Sequence, residues 1–332
     1  MKKVFIFLLV FLSIKPLFSQ NLIDFNEEKL TNFTNKLVSL PFSERDVIIK
    51  ACQVFEQDFS NDPYCADWAF QILYYYHQIS CEDKTITLQK TYSGKEIRGY
   101  FYDDIYVLPK LKKNISAFIK EYALWGYRIA SKEDTSYCIE VDSTFLIKRL
   151  GKYLSKDFAY YFNNYVADLS SPPYWHSQLN VPIEEIMRRV AWRDELLDRN
   201  PDFCVNNLVT LQIDYLLFSI TKGLEHTPIY GINEDELKIA RPVEGFDFAN
   251  ISNQSEVILP EYKKAIQDYY KAHTSTYWGK FLTEFMHKLS LNKYRFSNEI
   301  DDFVINTLYP KDRKNIDPLL KFKDIMIDNL MD

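Results

Sequence analysis

Glycine is scarce in this chain. Only 8 of the 332 residues are glycine, well below the roughly 7% that is usual. Few glycines leave few places for left-handed turns or for close backbone approach to a ligand. In keeping with this, there is no Gly-x-Gly, no Walker-type loop and no Gly-x-Ser-x-Gly elbow. The common signatures for dinucleotides, nucleoside phosphates and α/β-hydrolases are therefore absent. Cysteine is also sparse and unpatterned. Cys52, Cys65, Cys81, Cys138 and Cys204 contain no Cys-x-x-Cys, so neither a zinc ribbon nor a redox pair is indicated. Five cysteines permit at most two internal disulfides, and at least one thiol is expected to stay free.

Long apolar runs are missing too, with one exception. Lys2 and Lys3 precede an apolar run from Val4 to Ile14, which Lys15 and Pro16 end. The charge order and the length match a secretory signal peptide. They fall short of the roughly 20 apolar residues that a spanning helix needs. Cleavage is expected after Ser19, which makes residues 1–19 a removable signal and the mature chain an exported, soluble protein of the periplasm or extracellular space. Since the first cysteine is Cys52, no lipid anchor is expected, and no transmembrane anchor remains once the signal is gone. Removing residues 1–19 takes three lysines and no acid, which moves the net charge from −6 to about −9. An acidic surface argues against nucleic acid as the partner, because phosphate binding needs clustered Lys and Arg.

What is abundant is helical patterning and aromatic side chains. Apolar residues recur near a 3.6 period at Leu30, Phe33 and Leu37, and again at Val47, Ile48, Ala51, Val54 and Phe55. Asp62-Pro63 is a helix start, as is Asp142, and Gly223 after Lys222 is a helix stop. Pro109 and Pro182 each open a further helix. Residues 137–141 read as a short β piece. Between 84 and 107 the alternation of Ile86 and Leu88, with Gly94 and Gly99, predicts a short β or irregular excursion.

The predicted fold class is thus mostly α, an irregular array of antiparallel helix pairs. Its organisation is expected to be a helical region over 20–223, an irregular connection over 224–260, and a C-terminal helical region over 261–332, packed as one continuous array. A connection of that length is expected to carry function or form local structure of its own.

Three stretches share a helix, a polar turn, an aromatic residue and a second helix. They are Asn61-Asp62-Pro63-Tyr64, Asn200-Pro201-Asp202-Phe203 and Thr274-Ser275-Thr276-Tyr277. The aromatics lie 139 and 74 residues apart, near four and two units of about 35. In this the chain resembles the tetratricopeptide class of helical-hairpin repeats, over about a third of the mature length. It lacks that family's Trp-Leu-Gly and small-residue pattern. The resemblance implies a superhelix that binds protein or peptide; the alternative is an irregular helical fold with ordinary hairpins.

Chemistry-bearing residues are few. The five histidines make no His-x-x-x-His, and Glu284 with His287 is the one Glu-x-x-His, where a carboxylate-bridged metal pair requires two copies and two further glutamates. No metal site and no cofactor are expected. Among carboxylates, Asp103 and Asp104 lie between aromatics and are the catalytic candidates. Arg193 and Glu195 read as helix-surface charges. Aromatics make up 16% of the chain, and the runs Tyr74-Tyr75-Tyr76, Tyr160-Tyr161-Phe162 and Tyr269-Tyr270 cannot all face one core. The loop Tyr174-Trp175-His176, after Pro172-Pro173, is the candidate ligand-binding segment, set against the more ordinary reading that its aromatics staple onto the next helix. The function expected is non-catalytic binding or scaffolding of a protein or peptide, with glycan as another ligand class. The alternative is a carbohydrate-active enzyme using paired carboxylates.

Overall fold

The computed structural model describes residues 26–102, 109–131, 137–175, 178–224, 227–232, 256–310 and 322–326. The protein is mostly helical, and among the described residues no helix is long and apolar enough to cross a membrane. Residues 1–19, with the expected signal, lie outside the described residues. Contacts divide the chain into two compact units. One comprises residues 20–166 with 318–332, the other residues 167–317. The expected division at 223 falls inside the second of these.

In the first unit, α1 (Glu27–Val38), α2 (Val47–Phe59) and α3 (Pro63–Thr91) pack around one another. Their starts follow local chemistry. The Asn26 and Asp62 side chains accept from the amides of Lys29 and Cys65, satisfying donors that the first turn leaves unpaired. Asp46 precedes α2, without a side-chain cap. Phe33, Phe55, Phe59 and Phe70 interlock at ring-centroid distances of 5.1–6.5 Å, mostly edge to face. That is the arrangement the ring quadrupole favours.

Helix α3 is the spine of this unit and runs through the stretch read as an excursion. Cys81, Lys84 and Leu88 share its buried face, while Ile86 is 51% exposed. After a break at Tyr92 the chain forms α4 (Gly94–Tyr102), then α5 (Pro109–Leu124). The short β excursion lies later, in β1 (Tyr127–Ser131) and β2 (Tyr137–Val141), an antiparallel pair in the register Tyr127–Val141. This ribbon packs on α3, where Thr85 Oγ1 accepts from the amide of Ile139 at 2.8 Å. Asp142 caps α6 (Ser143–Leu150), accepting from the amides of Thr144 and Phe145. A 3₁₀ turn, Gly151–Tyr153, follows, ahead of α7 (Lys156–Ser170).

In the second unit, the end of α7 leads into a two-stranded hairpin, β3 (Tyr174–Trp175) with β4 (Gln178–Leu179). Then come α8 (Ile183–Arg199) and α9 (Asn206–Lys222), which pack as a hairpin. Gly223, at φ +84°, ends α9 as its position predicts. Of the long connection, the described ends pair as β5 (Tyr230–Ile232) and β6 (Glu256–Ile258). Helices α10 (Pro260–Ala272) and α11 (Tyr277–Leu291) form a second hairpin, with α10 on α8, and α12 (Asn298–Leu308) packs on α9 and α11. The three polar turns noted in the sequence each join packed helices. Their aromatics are not equivalent: Phe203 is buried, whereas Tyr64 and Tyr277 are exposed.

Candidate functional site

The candidate segment around Tyr174 is held by several independent bonds. Tyr174 Oη and Ser219 Oγ on α9 lie 2.7 Å apart. The Leu179 amide donates to Thr227 Oγ1 at 2.9 Å, and the Asn180 amide to the Pro173 carbonyl at 2.9 Å. Arg189 Nη2 donates to the Ser171 carbonyl at 2.8 Å. Burial pushes the Tyr174 hydroxyl above its ordinary pKa, so it serves as a neutral hydrogen-bonding group. A two-residue hairpin has little stability alone; here α8 and α9, through Arg189 and Ser219, and Thr227 supply it.

Behind the hairpin lies a buried charge network, of which the sequence reading placed one member, Arg193, on the surface. Arg193 is 4% exposed, so its assignment as a helix-surface charge is corrected; Glu195 is exposed as expected. Arg189 and Arg193, one helical turn apart on α8, both face Asp168 at the end of α7. The Arg193 Nη2 to Asp168 Oδ2 distance is 2.8 Å, and Arg189 Nε to Oδ1 is 3.3 Å. Arg189 Nε also donates to Glu185 at 2.8 Å, and Arg193 Nε to Gln212 Oε1 at 2.9 Å. Glu185 receives a two-pronged contact from Arg188, at 2.6 and 2.7 Å. That contact holds its carboxyl down at about 2. Buried guanidinium groups persist only when paired. The signal for this network is the i, i+4 spacing of Glu185, Arg189 and Arg193; what sequence could not supply was Asp168, across the hairpin.

The outer side of α9 beside the hairpin carries an aromatic shelf. Tyr215 is 53% exposed and stands edge-on to Tyr174, with ring centroids 5.0 Å apart. One turn on, Phe218 meets Tyr309 edge to face at 5.4 Å. Lys222 completes the row, its ammonium 5.3 Å from the Phe218 ring and paired with Asp301. Tyr309 and Tyr215 both lie within electrostatic reach of the Tyr174 hydroxyl. Residues 174, 215, 218, 222 and 309, remote in sequence, thus form one half-exposed, mainly aromatic surface.

Of the other sequence candidates, Asp103, Asp104 and His176 lie outside the described residues, as does the side chain of Trp175. The tyrosine runs split as the 100° helical step requires. Tyr76, Tyr161 and Tyr269 are buried, Tyr160 is 40% exposed, and Tyr74, Tyr75 and Tyr270 lie between. All five cysteines are free thiols. Among the described residues, no three of His, Cys, Asp and Glu are grouped to hold a metal ion. Glu284 and His287 line an open groove of about 620 Å³ between α11 and α12, together with Lys288, Leu291, Asn298 and Glu299.

Elsewhere, one further buried acid receives a hydroxyl. Asp194, 3% exposed, accepts from the Tyr269 hydroxyl. Burial raises its pKa, against the opposing hydrogen bonds from Thr276 and Tyr269. No family model, curated protein or solved structure matches this chain.

Proposed function

We propose that this chain is an exported, non-catalytic helical binding protein whose aromatic shelf around Tyr174 engages a protein or peptide. The observation that carries this reading is Tyr215, half exposed and edge-on to a Tyr174 whose own hydroxyl and backbone are anchored. Aromatic side chains held in one position contribute large contact area at small entropic cost on binding, which is why they dominate interface energetics. Two of the buried carboxylates give the enzymatic alternative no support: Asp168 faces Arg189 and Arg193, and Asp194 faces Tyr269. Neither is free to face a sugar-sized cleft.

The test is an affinity capture from envelope and medium fractions, with residues 20–332 as bait and mass-spectrometric readout. A reproducible partner should be lost with Tyr215→Ala or Trp175→Ala, while both variants melt like the parent. Capture that is unchanged in both variants would take the shelf out of the binding surface. Capture of nothing by well-folded bait, with retention on a polysaccharide column, would move the ligand class to glycan.

A further inference from the structure

Helix α5 places little of itself in the core. Of its 16 residues only Ile115 and Tyr122 are buried. Seven residues apart, these two share one stripe of the helix. The opposite stripe carries Lys113, Ala117, Lys120 and Leu124, with Lys110 beside it, and all five are exposed. At 1.5 Å of rise per residue, Lys113 and Lys120 stand about 10 Å apart along the axis.

No acid shares this stripe. The helix contains one acidic residue, Glu121, and its carboxylate is paired with Arg45 at 2.8 Å. Among the described residues, no acid pairs with Lys110, Lys113 or Lys120. Exposed lysines elsewhere, such as Lys36 and Lys264, face Asp58 and Asp268. The stripe also ends on a large apolar side chain in water, since Leu124 is 72% exposed. Half-buried Trp125 follows it, its ring 5.5 Å from that of Tyr122. The chain as a whole carries a net charge of −6. At physiological salt, however, exposed charges more than about 8 Å apart are largely screened from one another. The local sign therefore decides what approaches α5.

We propose that the outer stripe of α5 is a docking surface for an anionic lipid leaflet. Lys110, Lys113 and Lys120 meet the headgroups, and Leu124 enters the acyl boundary. Charge complementarity carries the first contact, and the apolar end of the stripe selects among anions. A nucleic acid or an acidic protein surface would satisfy the lysines and leave Leu124 in water, whereas a leaflet takes both. Tryptophan beside that end suits the headgroup level, where amphipathic rings are enriched. Each lysine near such a surface strengthens binding about fivefold, so three give about a hundredfold. With one side chain inserted, docking is reversible and salt-sensitive, unlike the insertion of a spanning helix. This surface lies in the other unit from the shelf around Tyr174 and stands or falls independently of it.

The experiment is co-sedimentation of the chain with vesicles of phosphatidylglycerol mixed into phosphatidylcholine, and with vesicles of phosphatidylcholine alone. The chain should bind the mixed vesicles saturably and the zwitterionic ones about a hundredfold more weakly. Raising the salt should release it. Lys110→Gln, Lys113→Gln and Lys120→Gln together should weaken binding about a hundredfold, and Lys113→Gln alone about fivefold. Leu124→Ser should weaken it by about threefold to tenfold. The charge-matched control is Lys264→Gln, Lys271→Gln and Lys280→Gln, three exposed lysines of the other unit, and it should bind like the parent.

Absence of parent binding to the mixed vesicles would overturn the proposal. Equal weakening in the two triple variants would do the same, because net charge rather than the stripe would then be responsible. Unchanged affinity in Leu124→Ser would refute the acyl contact, and with it the reason for choosing a leaflet. Retention of the parent on immobilised single-stranded DNA, without binding to vesicles, would assign the stripe to a polyanion instead.

Discussion

Replacing Asp168 by Asn removes one negative charge and almost no volume. The carboxylate is 9% exposed as a side chain and faces Arg189 and Arg193, whose side chains are 3% and 5% exposed. Removing one partner of a buried ion pair costs about 3–5 kcal/mol, because the remaining charge stays desolvated. Here each guanidinium keeps other acceptors. Arg189 retains Glu185 and the Ser171 carbonyl, and Arg193 retains Gln212 and the Arg189 carbonyl. The expected loss is therefore at the lower end, about 3 kcal/mol. For a unit of this size that corresponds to a fall in Tm of roughly 6–12 °C.

Urea unfolding followed by tryptophan fluorescence is a suitable assay, since Arg193 stacks over Trp192 with its guanidinium 4.1 Å from the ring. Arg188→Gln is the control. Arg188 is 53% exposed, and such surface pairs contribute about 0–1 kcal/mol. A loss below about 1 kcal/mol for Asp168→Asn would show that water reaches the network. The account of a hairpin anchored by buried charge would then fail.

Three further outcomes are expected. His77 is fully buried, stacks edge to face on Tyr127, and has its pKa lowered by burial to about 3. The unfolded state then binds the extra proton between about pH 6.5 and 3, so stability falls as pH drops through that window. Relative to His77→Phe, the parent should lose about 2 kcal/mol more between pH 7 and pH 5 in paired denaturation curves; parallel curves would refute it. The comparison is made against the variant because Asp67, raised by burial to about 6, acts in the opposite direction in both proteins. Gly279→Ala should cost about 3 kcal/mol or more in the same assay. A β-carbon there would lie 1.7 Å from the His273 carbonyl oxygen in the α10–α11 turn, and a neutral result would mean that the turn is looser than described. Thiol labelling should modify only Cys204 in the native protein, because Cys52, Cys65, Cys81 and Cys138 are buried and burial pushes the Cys52 thiol up to about 12. All five should label after denaturation without reductant, and a count of three or fewer would reveal a disulfide.

Much of the helical framework could be read from local chemistry. Asp62, Asp142 and Gly223 act at the helix ends where their side chains, or the lack of one, predict. The β piece at 137–141 and the three helical hairpins were likewise legible. The stretch 84–102 was not. Alternation of Ile86 and Leu88 imitates a strand, while the helical period is carried by Cys81, Lys84 and Leu88. A lysine on that buried face is tolerated because its ammonium reaches the Phe42 carbonyl at 2.6 Å and Asp83 at 3.0 Å. Those partners are a matter of packing, which hydrophobic periodicity does not register.

The same division holds for the candidate site. Sequence alone determined the helical class and several helix ends, because caps and breakers act within a few residues. Tertiary structure decided which charges are buried and which aromatics meet. Arg193 became an interior residue only because the end of α7 delivers Asp168 to it, and Tyr174, Tyr215 and Tyr309 form one surface only because α9 and α12 pack together. A buried charge is set by the partner that neutralises it, and that partner arrives through long-range contacts that no local pattern encodes.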